Sequence, residues 1–334
     1  MTDTVAAHTH TMRAIVQDSY GTTDVLHLAR IPQPQIADDE VLIHVRGAGL
    51  DRGTWHMMAG QPYLLRIIGF GFRAPKNRVP GLDVAGTIVE VGSAVTRFAM
   101  GDEVFGISRG SFAEYAAVRE DKLSRKPSNL TFAQAAVVPI SAGTALQALT
   151  DAGNVQPGQH VLVIGAAGGV GTYAVQRAKA LGAEVTGVCS TAKLNLVRDL
   201  GADHVIDYTR EDYTDGTRAY DLILDLGGNT PLSALRRPLK ARGTLVIVGG
   251  EEGGRWTGGF GRSVRAPLLS LISRQRLTML ASKERATDQE RLTTFIEAGT
   301  VTPSIDSTHP LSHVAKAMAR LEAGDVRGKI AITL

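Results

Sequence analysis

The sequence predicts an α/β chain in two parts, an irregular β-rich part and a doubly wound parallel sheet of six strands. Its 334 residues are too many for one ordinary domain and suit two. Between residues 160 and 281 short apolar runs alternate with helical patterns, the order that builds a parallel sheet covered on both faces. The first of those runs enters a cluster of small residues, HVLVIGAAGGVG at 160–171, and continues as a helix.

Taken in order, residues 11–118 are punctuated by Pro and Gly turns, and 14–16, 40–46, 86–91, 103–106 and 112–118 read as strands. Residues 133–149 turn helical and Ala-rich. The six strands of the second part are 160–164, 184–189, 204–206, 220–226, 243–248 and 277–281. Helices are expected between them over 170–181, 192–200 (closed by Gly201) and 231–240. A helix at 288–298 leads through Pro303 to a helix at 311–323 and a last strand at 329–333. This tail is read as returning to the first part. That gives one discontinuous domain, 1–131 with 284–334, and one continuous domain, 132–283.

A strand, a tight Gly turn and a helix N-terminus together point free backbone N–H groups and a positive dipole end at a phosphate. Gly168 lets the backbone approach a pyrophosphate, and Gly171 lets the helix pack closely on its strand. The segment therefore reads as a Rossmann dinucleotide site, with a ligand cleft at the carboxyl ends of the strands. An NAD site normally offers an acid to the ribose at the end of the second strand. Here that strand ends Val188-Cys189-Ser190-Thr191, with Lys193 following. Hydroxyl donors and an ammonium suit a 2′-phosphate, so Ser190 and Lys193 are read as its binders, Tyr208 as a neighbour of the adenine or the phosphate, and NADPH as the cofactor. An exposed Lys in a first helical turn is the plain alternative for Lys193.

Composition bounds the rest. Apolar residues make up 43% and charged residues 21%, as in soluble globular proteins. No apolar run has membrane-spanning length, and the first eleven residues lack a signal-peptide pattern, so a cytoplasmic protein is expected, without a membrane or nucleic-acid partner. One cysteine, Cys189, allows neither an intrachain disulfide nor a Cys-rich zinc site. The net charge is +3, but 236–276 holds nine Lys/Arg against two acids. This is either a rim beside a phosphate-bearing ligand or a solvated helix face.

Several segments together resemble the medium-chain dehydrogenase/reductase superfamily, in its zinc-independent, quinone-oxidoreductase-like branch. They are VPGLDVAGTIVEVG (79–92), GDEVFG (101–106), GSFAEYAAV (110–118), AAVVPISAGTALQAL (135–149), GAAGGVGTYAVQRAKALGAEVTGVCS (165–190), LVRDLGADHVIDY (196–208) and GKIAITL (328–334). The resemblance covers nearly the whole chain and implies a GroES-like catalytic domain joined to a Rossmann domain. It implies a cofactor set of Thr144, Ala167, Gly168, Gly169, Val170, Ser190, Lys193, Tyr208 and Gly249. Zinc members of the superfamily hold a metal with Cys and with the His of a Gly-His-Glu motif. The matching stretches here read Gly49-Leu50-Asp51 and Gly81-Leu82-Asp83, and leucines cannot ligate a metal, so no metal is expected.

Without a Lewis acid, the expected acceptor is one that spreads developing charge by conjugation, a quinone or an α,β-unsaturated carbonyl, rather than a simple ketone. In 49–63 (GLDRGTWHMMAGQPY), Asp51 is a candidate orienting group, and Thr54, His56 and Tyr63 are candidate donors. Each has a structural alternative: a turn cap, a packed aromatic ring or a loop hydrogen bond. Relatives often carry Asn at position 51 and Asp at 54, so the usual polar pair is altered. Two loops, 63–72 and 249–261 with Trp256 and Phe260, read as apolar covers over the cofactor, with Gly69, Gly71, Gly253 and Gly254 as hinges, or as loops packed on the core. A zinc-free alcohol dehydrogenase, a carrier-bound enoyl reductase and a cofactor-binding scaffold with vestigial activity stand as alternatives. A homodimer is expected, with a monomer as the other reading.

Overall fold

A computed structural model describes residues 10–228, 230–249 and 254–334. His8 and Gly253 lie outside these residues, as does the side chain of Phe260. Fifteen strands are present among the described residues: β1 Thr11–Val16, β2 His27–Pro32, β3 Glu40–Leu50, β4 Asp83–Val91, β5 Glu103–Ile107, β6 Tyr115–Arg119, β7 Leu123–Arg125, β8 His160–Ile164, β9 Glu184–Cys189, β10 His204–Asp207, β11 Tyr220–Asp225, β12 Leu239–Ile247, β13 Arg276–Met279, β14 Ile305–Pro310 and β15 Lys329–Thr333. The helices are α1 Arg52–Ala59, α2 Tyr63–Leu65, α3 Phe132–Ala135, α4 Pro139–Gln147, α5 Gly169–Ala180, α6 Leu194–Asp199, α7 Leu232–Leu235, α8 Phe260–Ser270, α9 Ala286–Glu297 and α10 Val314–Glu322.

The second part is the doubly wound sheet. Its order is β10-β9-β8-β11-β12-β13, every pair parallel. Strands β8 and β11 are buried almost throughout, as a sheet covered on both faces requires. The order reverses between β8 and β11, so the crevice at the carboxyl end of β8 opens beside the start of α5.

The β-rich part is a seven-stranded sheet, β14-β15-β3-β4-β5-β7, with β6 also pairing β3 and a β1–β2 hairpin beside it. The last strand pairs antiparallel with β3, Ile330 opposite Leu50 and Ala331 opposite Gly49. The chain therefore leaves this sheet after β7, builds the parallel sheet, and comes back.

Three expectations are corrected. The helix expected over 231–240 stops at Leu235 and β12 begins at Leu239, because Pro238 disfavours helix at the residue before it and its carbonyl accepts from the Tyr220 N–H. The single helix expected over 133–149 is two, split ahead of Pro139, which has no N–H to donate. Residues 260–270, expected only as loop and basic stretch, form α8. Within the basic stretch four of the nine cations are engaged by the protein itself. Arg236 donates to Gln275 and Ser273, Lys240 pairs Asp221, Arg262 pairs Asp225, and Arg276 donates to the Ala152 carbonyl.

The return crossing is clasped by one buried amide. Gln147, at the end of α4, donates from Nε2 to the Lys283 carbonyl and to Asp288 Oδ2, both at 2.7 Å, and accepts from the Lys283 N–H at 2.9 Å. Gln147→Met keeps the volume and removes all three bonds, so it should cost about 2–4 kcal/mol in chemical denaturation. A loss below about 0.5 kcal/mol would show that water replaces the amide freely.

Candidate functional site

The small-residue turn adopts the expected geometry. Gly165 has φ +84°, and a Cβ at Gly171 would lie 2.1 Å from the Gly165 carbonyl oxygen, so only glycine lets α5 sit this close to its strand. Gly168 is the N-cap of α5 and no side chain caps that end, which leaves the first-turn N–H groups of Gly169 and Val170 without intrahelical acceptors. Ala167 is buried, and its carbonyl accepts from the Gly328 N–H at 2.8 Å, which ties the turn to the start of β15. Gly249 lies past the end of β12, where a Cβ would meet the Leu226 carbonyl oxygen at 2.4 Å. Thr144 is half-buried on α4, the helix beside α5. An uncapped helix end and backbone packed too closely for any Cβ fit a dinucleotide, and β9 itself ends without an acid.

At that tip, Ser190 precedes a single helical turn, and its carbonyl accepts from the Lys193 N–H. The Lys193 ammonium is not free. It donates to the carbonyls of Gly324 and Val326, both at 2.8 Å, and burial lowers its pKa. Tyr208 is 56% exposed at the neighbouring strand end, placing its ring at the surface of the same corner. An acid that sequence reasoning missed stands here as well. Asp207, at the end of β10, accepts from Thr191 through one oxygen and from the Thr209 N–H and hydroxyl through the other. These bonds, Thr191's first, hold its carboxyl below the usual range. Both oxygens are occupied, so Asp207 shapes the corner.

In the other sheet, Asp51 caps α1. Its Oδ1 accepts from the Thr54 N–H at 2.8 Å and the Thr54 hydroxyl at 3.2 Å, while Oδ2 is buried with no partner among the described residues. Thr54 is fully buried, so its hydroxyl serves the cap. His56 Nδ1 donates to the Gln61 carbonyl at 2.7 Å. The neutral ring therefore presents Nε2 as an acceptor and becomes a second donor only when protonated. Tyr63 packs edge-on against Trp256 (5.4 Å, 87°) with the Arg66 guanidinium 4.7 Å from its ring, and its hydroxyl has no hydrogen-bond partner among the described residues. The two expected cover loops are joined. Tyr63 N–H donates to the Arg255 carbonyl at 2.8 Å and Leu64 N–H to the Trp256 carbonyl at 3.1 Å. Both loops keep large apolar side chains in solvent: Ile67 and Phe72 on one, Trp256 on the other.

Between these two halves lies a buried ion pair that local sequence signals do not reveal. Lys329 Nζ donates to Asp83 Oδ2 at 3.2 Å, with the side chains 1% and 0% exposed. Asp83 Oδ1 accepts from the Ile140 N–H at the start of α4, at 2.8 Å. Burial raises the Asp83 pKa to about 7, against the pull of Lys329 and with Asp51 adding to the rise. The Lys329 chain lies along the phosphate turn: a Cβ on Gly169 would be 3.0 Å from its Cδ and 3.3 Å from Ser141 Oγ.

Where zinc relatives hold a metal, Leu50 is buried in the core and Leu82 lies beside the backbone of Gly53. Among the described residues no group of three or more His, Cys, Asp or Glu could hold a metal ion.

Comparison with known proteins agrees with this geometry. Residues 37–128 match the alcohol dehydrogenase GroES-like domain, and 200–332 match a domain described as zinc-binding dehydrogenase. The chain is 34% identical to a 2-methylene-furan-3-one reductase of Solanum lycopersicum and 35% identical to a chloroplastic NADPH-dependent alkenal/one oxidoreductase of Arabidopsis thaliana. Each alignment covers 96% of this chain and 79% of the relative. Among solved structures it is similar to the quinone oxidoreductase from Coxiella burnetii, with a TM-score of 0.86 and 28% identity over 97% of this chain and 100% of that one. The chain belongs to the medium-chain dehydrogenase/reductase family, in its quinone- and alkenal-oxidoreductase-like branch.

Proposed function

We propose that the protein is an NADPH-dependent oxidoreductase that reduces a quinone or an α,β-unsaturated carbonyl, without zinc, in the crevice between the two sheets. The observation that carries this reading is the pairing of an uncapped dinucleotide turn with leucines at the metal positions, in a chain whose relatives are named as quinone, alkenal and furanone reductases. Bound NADPH supplies the hydride. The residues of the chain do the holding and orienting. The N–H groups of Gly169 and Val170 meet the diphosphate, Ser190 and Tyr208 flank the 2′-phosphate, and Lys193 lends it positive charge from its place on the Gly324 and Val326 carbonyls.

On the acceptor side, Asp51 orients the start of α1, and Tyr63, whose hydroxyl has no hydrogen-bond partner among the described residues, is the donor to the substrate oxygen. His56 joins as a donor in its protonated form. A conjugated acceptor needs only such hydrogen bonds, because the charge that develops on it is delocalised. The apolar loops around Ile67, Phe72 and Trp256 favour a flat, apolar substrate.

An exposed stripe on and just past α8, Val264, Leu268, Leu271 and Ile272, lies next to β13, which has a strand partner on one side only among the described residues. An open edge beside an apolar helix favours a homodimer through this face. Leu268→Glu with Ile272→Glu should convert a dimer to a monomer in light scattering, and a monomeric wild type would sink this part of the reading.

Purified protein should oxidise NADPH with several quinones or enones and do little with simple secondary alcohols. Clear NADPH binding with no acceptor reduced across a broad panel would favour the scaffold reading instead. Faster turnover of secondary alcohols than of any enone would favour the dehydrogenase. Tyr63→Phe should lower kcat by about 10²–10³ with NADPH affinity intact if its hydroxyl donates in the transition state.

Lys193→Ala should weaken NADPH by about 1–3 kcal/mol and leave NADH nearly unchanged. Equal losses for both nucleotides would show that Lys193 serves the C-terminal segment alone.

A further inference from the structure

Three charged groups are buried together at the join of the two halves: Asp83, Lys329 and Asp51, the last only 7% exposed. Gly49 and Asp83 face each other across β3 and β4, and a Cβ on Gly49 would lie 2.8 Å from Asp83 Oδ2, so Asp51 follows within two residues of that contact. With both carboxylates ionised the cluster carries one net negative charge. Two nearby helix starts already have acidic partners: Asp51 caps α1, and Asp83 receives the Ile140 N–H of α4. The third, α5, has none, and its Gly169 lies against the Lys329 side chain.

A diphosphate at α5 adds two negative charges beside this cluster and competes for the field of its one cation. The system relieves that repulsion most readily by neutralising a carboxylate that water does not reach. Asp83 is the better acceptor: it is the more deeply buried of the two, and it is the carboxylate in contact with the Lys329 chain that lies along Gly169, while each of its oxygens accepts only one hydrogen bond and keeps a lone pair for a proton. The other ionisable group nearby, Tyr173, donates its hydroxyl to the Val137 carbonyl, and burial holds its pKa far above neutrality, so it neither gives nor takes a proton here.

We propose that the Asp51–Asp83–Lys329 cluster takes up one proton from solvent when the cofactor's diphosphate binds beside Gly169, with Asp83 as the acceptor. An O–H bond forms on the Asp83 carboxylate, its charge goes from −1 to zero, and Lys329 remains an ammonium. Asp83 gives this proton back to solvent when the cofactor leaves. Asp83 acts here through the site's charge and is a positioning residue. Its pKa near 7 in the free protein sets the useful window. The uptake is at most about half a proton at pH 7 and approaches one at pH 8, and cofactor affinity falls as pH rises through this range.

The test is isothermal titration calorimetry of the full chain at pH 8 in phosphate, HEPES and Tris, with NADPH and with NADH. Apparent enthalpy plotted against buffer ionisation enthalpy gives the protons taken up. About 0.5–0.9 proton is expected with both nucleotides, since the diphosphate is common to them. NADH also removes any contribution from the 2′-phosphate. Asp83→Asn should bring the uptake close to zero. Because that change leaves Lys329 buried without a carboxylate, Asp51→Asn provides the second arm. It keeps the Asp83–Lys329 pair, removes the excess negative charge, and should cut the uptake at least twofold in a protein with an unchanged melting temperature. A slope of zero in the wild type overturns the proposal. So does full uptake in both variants. Uptake that persists in a protein that reduces no acceptor would sink the proposed reaction and leave the proton linkage standing.

Discussion

The contact between Lys329 and Asp83 is the point on which the rest of the molecule turns. It joins residues 246 positions apart and brings together the last strand, the fourth strand, the start of α4 and the phosphate turn. Burying two charges is costly, and a well-packed apolar pair would often serve stability equally well. The pair does what an apolar contact would not: it fixes an ammonium and a carboxylate at the seam where both halves of the crevice begin. The neighbouring backbone bond from Gly328 to the Ala167 carbonyl holds the same seam through uncharged groups.

The two halves of the crevice differ in kind. At the phosphate turn the exposed features are backbone: an uncapped helix end and glycines that exclude a Cβ. Backbone sites are rigid and indifferent to side-chain drift. In the β-rich half, Asp51, Thr54 and His56 are tied into local caps and turns, and one carboxylate oxygen of Asp51, one ring nitrogen of His56 and the Tyr63 hydroxyl have no hydrogen-bond partner among the described residues. A family that keeps its cofactor and changes its substrate would divide its site in this way.

The parallel sheet is legible in the sequence because its strands are continuous apolar runs set off by helices of the right period, and the turn at 165–171 carries its own steric logic. The helix at 260–270 is not, because part of its apolar side faces solvent and glycines crowd its start, so pattern and burial disagree. Pro238 and Pro139 mark the two misplaced helix ends, where a steric rule outweighs the helical pattern around it. The residue types at 51, 54, 56 and 63 are legible as candidate polar groups, but which atoms remain free depends on hydrogen bonds three to five residues away. Lys329 and Asp83 sit inside conspicuous motifs, yet nothing local announces that they touch. Asp207 is hidden for a related reason: its partners Thr191 and Thr209 come from two different turns.

The path of the chain has one more consequence. It leaves the seven-stranded sheet after β7 and re-enters it before β14, so two covalent strands cross the boundary between the halves. A body hung on one link can swing and twist; hung on two, it keeps only the rotation about the line through both. The links between the loops at Tyr63 and Leu64 and the carbonyls of Arg255 and Trp256 lie apart from those crossings and act as a latch. Opening the crevice is thus mechanically a door with two hinge pins. Its catch is two backbone hydrogen bonds and one pair of aromatic rings, a third tie that stands against the one rotation the two crossings leave.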